Sequence, residues 1–441
     1  MGSGATVKSR FSGLSSSTAG YVAVGVSVFI LLASGPRILG GADYTSLALA
    51  WTVASIFGLG LAFPAEQTVT RAVAAGTQTR VATVVTKRLA VIVAAATVAA
   101  AGLFTAGEWP LPGEKTLWFV WVWVSLLGWV CLCGPRGMLA GQGQFRSYAA
   151  ALFAEAASRV GFVAAAWFAP HSISETLLYA AVGVPLIISA ATAWWEETQH
   201  RRKTGTDPVG KGKLSPAQVD VSEPSTETGG GTLKEQAGIT AVALALQIVL
   251  NTAPLWIVHY PGVAPSDTGM FVSATTYMRI PLIFVGAATV WVLAGASRLS
   301  AAGNLHGLKV FAAKSVGASF LFAALMGAGL WLFGGFGMEM FYGPDGTHAE
   351  KLLGLLAVNT AVLVAASIFT QIFLGCRRSG FAAVVWITVA AVTTAALACT
   401  RTISGSIWVM TGAAILVLVV FTTVFTYGKI WQQAEETSMI P

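Results

Sequence analysis

The sequence predicts an all-α integral membrane protein of twelve transmembrane helices, arranged as six and six. Three observations carry this. The 441 residues are 55% hydrophobic and 10% charged, with a mean hydropathy of +0.71, whereas soluble domains carry roughly 25% charged residues. Twelve apolar stretches each approach the roughly 20 helical residues that cross a bilayer's hydrocarbon. Lys and Arg fall almost entirely in every second connection between those stretches. An ordinary cytosolic enzyme is excluded. The net charge of +7 sits at helix ends, where anionic lipid headgroups account for it without nucleic acid.

Residues 1–18 are polar and rich in Ser and Gly. The first span, 20–40, contains Gly35-Pro36-Arg37 and lacks a small-x-small cleavage site, so it reads as a retained helix. The second, 45–67, closes with Phe63-Pro64 and Glu66. The third covers 88–106. The fourth, 116–135, opens on Trp118, Trp121 and Trp123. The fifth, 148–169, carries Glu155 and Arg159, and the sixth, 174–195, ends on Trp194 and Trp195. These residues, 19–195, form the first six-helix bundle. Residues 196–235 are rich in Gly, Ser, Thr, Pro and charge, the composition of a flexible linker. The remaining spans are 236–258, 268–294, 309–334, 351–375, 380–400 and 404–427, a second bundle over 236–430, followed by a polar tail at 431–441.

Twenty basic residues fall on one side of this arrangement, among them Lys8, Arg71, Arg136, Arg201, Arg298 and Arg377. Four fall on the other: Arg37, Lys115, Lys351 and Arg401. The positive-inside rule then places both termini in the cytoplasm. Omitting one span would scramble the alternation. Weak internal similarity follows the six-plus-six division. Arg71-Ala-Val-Ala-Ala-Gly76 matches Arg298-Leu-Ser-Ala-Ala-Gly303, and Leu139-Ala-Gly-Gln-Gly143 echoes Phe373-Leu-Gly-Cys-Arg377. Asp43 and Asp267 precede the same span of each half. Both halves start on the same side, which predicts a parallel repeat about an axis along the membrane normal.

Ionisable groups at bilayer depth cost about 2.5–3.5 kcal/mol on insertion scales, so they are the first functional candidates. Arg279 stands in the middle of the eighth span, in Tyr277-Met-Arg-Ile-Pro281. Pro281 removes a backbone donor and is expected to kink the helix there. A guanidinium in a polar hollow binds phosphate well, being planar, permanently charged and bidentate; a structural Arg capped by carbonyls is the other reading. Glu155 and Arg159 stand four residues apart in the favourable order for an intrahelical pair, and a substrate anion competing for Arg159 is the functional alternative. Glu66 is a candidate for proton uptake, with an interfacial cap or a partner for Arg71 as the structural readings. Asn251, Asn359 and Gln371 suit either interhelical hydrogen bonding or sugar hydroxyls. Arg37 lies at the sparsely charged side. Trp118, Trp121, Trp123, Trp194, Trp195, Trp256, Tyr260 and Trp408 read as an interfacial aromatic belt.

No Cys/His spacing suggests a metal site; Cys131, Cys133, Cys376 and Cys399 read as small packing residues. Gly205-Thr-Asp-Pro-Val-Gly210-Lys211 imitates a phosphate-binding loop, but Gly212 replaces the required Ser or Thr and no strand precedes it. No catalytic constellation, nucleotide site or cofactor site is expected.

Arg37-Ile-Leu-Gly-Gly-Ala-Asp-Tyr44, Gly58-Leu-Gly60 and Glu66-Gln-Thr-Val-Thr-Arg71 resemble the first two helices of polysaccharide-biosynthesis transporters. These are the oligosaccharide flippases of the multidrug/oligosaccharidyl-lipid/polysaccharide (MOP) exporter superfamily. Arg136-Gly-Met-Leu-Ala-Gly-Gln-Gly-Gln-Phe145, continuing to Glu155 and Arg159, resembles their fourth-to-fifth helix region, and Arg279-Ile-Pro281 an eighth-helix feature. The resemblance implies two six-helix bundles around a central cavity, in a bacterial cytoplasmic membrane. It implies a polyprenyl-pyrophosphate-linked glycan as substrate, with Arg279, Arg159 and Arg37 toward the pyrophosphate and envelope-glycan assembly proteins as partners. Many members have two further helices, whereas twelve are expected here. The rival readings are a small-molecule exporter of the major-facilitator or toxin-extrusion type, a membrane glycan polymerase and a non-transporting scaffold.

Overall fold

The computed structural model describes residues 3–74, 84–87, 90–91, 115–204, 233–343 and 350–427. Among the described residues every regular element is helical. The first half holds α1 (Ser3–Leu39), α2 (Gly41–Phe57), a π-helical turn (Gly58–Ala62), α3 (Phe63–Ala74), α4 (Lys115–Gly141), α5 (Phe145–Phe168) and α6 (His171–Thr204). The second half holds α7 (Leu233–Asn251), α8 (Ala253–Ile257), α9 (Pro265–Met278), α10 (Ile280–Ala301), α11 (Leu305–Leu332), α12 (Gly334–Tyr342), α13 (Glu350–Gly375), α14 (Ser379–Cys399) and α15 (Ile403–Tyr427). Nine stretches among the described residues are long and apolar enough to cross a membrane. Two further expected spans are present as broken helices, α7 with α8 and α9 with α10. The expected third span, 88–106, lies outside the described residues apart from residues 90 and 91.

Several boundaries differ from the sequence expectation. Helix α6 runs on through Thr204, so the expected linker over 196–235 begins later; 205–232 and the tail at 431–441 lie outside the described residues. Helix α1 starts at Ser3, inside the segment expected to be a polar extension. The fourth span continues to Gly141, which draws Arg136 into the helix. Its side chain is buried, so it is not one of the headgroup-facing charges with which it was grouped. Trp118 likewise leaves the interfacial belt: it is buried and its Nε1 donates to the Ser46 carbonyl at 2.9 Å. Trp194, Trp195 and Trp408 stay exposed.

The repeat shows in the backbone. Helix α4 ends where Gly143 turns left-handed at φ 73°, and α13 ends where Arg377, the matching residue, does so at φ 56°. Each turn closes with the same long bond, Gln144 N to Leu139 O at 2.9 Å and Arg378 N to Phe373 O at 3.0 Å. This is the helix-terminating geometry that favours glycine. Asp43 and Asp267 occupy the first turns of α2 and α9, and those two helices meet across the seam between the halves. Thr45 Oγ1 donates to the Pro265 carbonyl at 2.6 Å, and Ser273 Oγ donates to Tyr44 Oη at 3.2 Å.

The seam runs from one membrane face to the other. At the face opposite the basic connections, Arg37 Nη2 donates to the Glu339 carbonyl at 2.7 Å, and the rings of Phe29 and Phe341 meet edge to face at 4.9 Å. Further along, the π-helical turn packs on α7, where a Cβ on Gly60 would lie 2.9 Å from Leu244 Cδ1. Nearer the basic face, a small cleft between the halves is lined by Pro64, Gln67, Thr68, Gln236 and Ile239.

A Cβ on Gly41 would lie 3.3 Å from the Cβ of Ser266, close to the ~3.5–4.5 Å that a disulfide requires. The double substitution Gly41→Cys and Ser266→Cys is expected to cross-link the halves under mild oxidation. Peptide mass spectrometry without reductant checks it; finding both thiols free would contradict this packing of α2 on α9.

Candidate functional site

Among the described residues, two groups of charge lie at bilayer depth, one in each half. The first half contains a buried ladder of alternating sign. Glu66 comes from α3, Arg136 from α4, and Glu155 and Arg159 from adjacent turns of α5. Arg136 Nε lies 3.4 Å from Glu66 Oε2 and its Nη1 3.3 Å from Glu155 Oε2; Arg159 Nη2 lies 3.0 Å from Glu155 Oε1. All four side chains are at most 5% exposed. Tyr148 donates to Glu66 Oε1 at 2.6 Å, and its ring lies under the Arg136 guanidinium at 5.3 Å. Tyr21 hydrogen-bonds to Tyr148 in turn. Sequence reasoning missed Arg136 and Tyr148, since a residue just past an apolar stretch reads as interfacial. Helix α4 can approach α3 this closely because Gly137 has no side chain: a Cβ there would lie 2.8 Å from the Glu66 carbonyl.

Arg159 does more than pair with Glu155. Its Nη1 donates to Ser27 Oγ at 3.0 Å and its Nε to the Ala181 carbonyl at 3.1 Å. That carbonyl is free because the residue four further on is Pro185, inside α6, which has no N–H to offer. Arg159 is 1% exposed, and these partners leave it no accessible surface for a ligand. It ties α1, α5 and α6 together.

The second group is Arg279. It stands at the break between α9 and α10 with φ −89° and ψ 1°, and Pro281 begins the following helix. Its Nη1 donates to Asn251 Oδ1 at 3.0 Å, and its Nη2 to the Leu250 carbonyl. Here too a proline frees the carbonyl, since Pro254 stands four residues on. Asn251 is held by its own amide, which donates to Gln247 Oε1 at 2.8 Å. Thus two broken helices meet at one guanidinium. Arg279 is partly exposed and has no carboxylate partner among the described residues. Two of its five N–H groups carry these bonds, so the fork is oriented while its charge remains uncompensated. Interrupted helices that join at membrane depth are where transporter scaffolds place polar sites, because such backbone is tolerated only against protein or water.

The other candidate residues are dispersed. Arg37 bridges the halves at one membrane face. Asn359 is buried in the second bundle and donates to Thr411 Oγ1 at 3.1 Å, an interhelical bond. Gln371 is half-buried on α13. Among the described residues no three His, Cys, Asp or Glu side chains converge in a way that could hold a metal.

No family model matches the sequence, and no curated protein matches it. Solved structures do match its fold. The inward-facing form of a multidrug resistance MATE family transporter of the MOP superfamily aligns with a TM-score of 0.63, at 15% identity over 96% of this chain and 99% of that one. The outward-facing form of a transporter so described gives a TM-score of 0.58 at 14% identity, covering 96% and 97%. A MOP superfamily transporter from Pyrococcus furiosus, described as having a binding pocket of reverse polarity that suggests a different function, gives 0.62 at 14% identity, covering 95% and 97%. The chain therefore has the all-α, two-bundle membrane fold of the MOP superfamily transporters.

The ladder makes a stability prediction. Removing one member of a buried ion pair strands a charge and costs about 3–5 kcal/mol. Arg136→Met is expected to lower the thermal midpoint of the detergent-purified protein substantially, and Arg136→Met with Glu66→Gln to recover part of the loss. Equal midpoints for Arg136→Met and the parent would show that the ladder does not hold the bundle.

Proposed function

We propose that the chain is a membrane transporter whose cargo has an anionic headgroup, a polyprenyl-pyrophosphate-linked oligosaccharide or related glycolipid. It would move this cargo from the cytoplasmic to the outer leaflet for cell-surface polysaccharide synthesis. The basic face is the cytoplasmic one, and envelope-glycan assembly proteins are the natural partners. The observation that carries the reading is the balance of charge at bilayer depth. Glu66 and Glu155 are both matched by arginines, so neither is left over for a cationic drug. Arg279 is left over for an anion, and its planar fork suits a pyrophosphate. The carrier's hydrocarbon tail can stay in lipid while the charged and sugar-bearing part crosses between the halves. The reverse-polarity description of the Pyrococcus furiosus protein supports the view that this scaffold accommodates cargo of differing charge.

Export of a soluble small molecule is the second reading, favoured by the multidrug transporters among the structural matches. Reconstitution separates the two. In vesicles, the purified chain is expected to flip a lipid-linked oligosaccharide. Export of a soluble cation with no flipping would support the drug-exporter reading.

Arg279→Gln keeps a donor for the Leu250 carbonyl but loses the charge. It is expected to fold and to reduce flipping at least about tenfold, the scale of one charge-assisted hydrogen bond, and Arg279→Ala to abolish flipping. Full flipping by either variant would remove Arg279 from the site.

Glu66 sits on the span that meets the second half and is the candidate for coupling to a proton gradient. Glu66→Gln, which can still accept from Tyr148, is expected to lose acceleration by an imposed pH gradient. Undiminished acceleration in that variant would exclude Glu66 from coupling.

A further inference from the structure

We propose that the seam at the membrane face opposite the basic connections becomes a sugar-binding surface when it opens, with Tyr342 and Tyr44 on facing walls. This rests on the glycolipid reading above and adds to it a second contact, separate from Arg279. Among the described residues the seam is closed by few polar bonds: Arg37 to the Glu339 carbonyl, Thr45 to the Pro265 carbonyl, and Ser273 to Tyr44. Between them, aromatic rings lie among aliphatic contacts such as Ala33 and Met338. Phe29 of α1 meets Phe341 at 4.9 Å and Tyr342 at 6.4 Å, and Tyr277 lies 6.4 Å from Phe341.

Tyr342 is the telling residue. It is 1% exposed, yet its hydroxyl has no hydrogen-bond partner among the described residues. A buried hydroxyl left unpaired loses its hydration for nothing. Phenylalanine would fill the same space without that loss. The hydroxyl is accounted for if it finds its partner in the other conformation, when the halves part. Tyr44 then loses Ser273 and faces the gap from the opposite side. Aromatic faces stack on the C–H faces of a sugar ring while phenol groups hydrogen-bond its hydroxyls. Two such groups on opposing walls make a site for a glycan leaving through this face.

The test uses the full chain in vesicles with two probes: a polyprenyl-pyrophosphate-linked oligosaccharide and the same lipid pyrophosphate without sugar. Tyr342→Phe removes no bond present among the described residues, so its thermal midpoint is expected to equal or exceed that of the parent. It is expected to raise the half-saturating concentration of the sugar-bearing lipid about 3–10-fold and to leave the sugar-free lipid unchanged. Arg279→Gln is expected to impair both probes alike. No change with either probe in Tyr342→Phe, or an equal loss with both, overturns the sugar contact while leaving the Arg279 reading intact. A parent protein that flips neither lipid overturns the glycolipid reading and this contact with it.

Discussion

The first bundle depends on the burial of four charges that cancel one another. Each of Glu66, Arg136, Glu155 and Arg159 would be costly alone at this depth. Together they are matched, and the cost of desolvation is offset by charge-assisted contacts, Tyr148 and two further acceptors. The pairing crosses α1, α3, α4, α5 and α6, so it fixes how those helices sit. It is also specific, because sliding any one helix by a turn would strand a charge. The small residues of α4 serve this arrangement by letting its backbone close on α3.

Proline and arginine act jointly in both halves. Pro185 and Pro254 each free a carbonyl inside the membrane, and Arg159 and Arg279 each reach one. The outcomes differ. Arg159 also has Glu155, so its bond completes a closed core. Arg279 has only neutral partners among the described residues, so its bond aims a charge that is still available. This difference separates a compensated arginine from an uncompensated one, and it follows from whether a carboxylate stands within reach.

The seam between the halves joins the two themes. Helices α2 and α9 are repeat-related and meet each other there, which places the same kind of surface on both walls. Among the described residues the halves meet through a handful of hydrogen bonds, aromatic edges and aliphatic contacts, a boundary of the kind that takes two arrangements in switching proteins. The broken helices α9 and α10 place Arg279 in the same half as Tyr342, while Phe29 and Tyr44 stand on the other side of the seam.

The sequence by itself determined the membrane class, the twelve spans, the six-plus-six division and the repeat, because hydrophobic length and charge alternation are one-dimensional signals that lipid imposes on any chain. It also singled out Arg279, because an arginine in mid-span is costly wherever the helix packs. Tertiary structure decided the rest. Arg136 lies just past an apolar run, where interface and interior read alike, and only the approach of α3 and α5 made it a buried partner. The structural reading of Glu66 gave it Arg71 as partner; it faces Arg136 and Tyr148, residues seventy and more positions away. Arg159 and Arg279 look equivalent as letters. What distinguishes them is the distance to a carboxylate, a quantity that exists only once the helices have assembled.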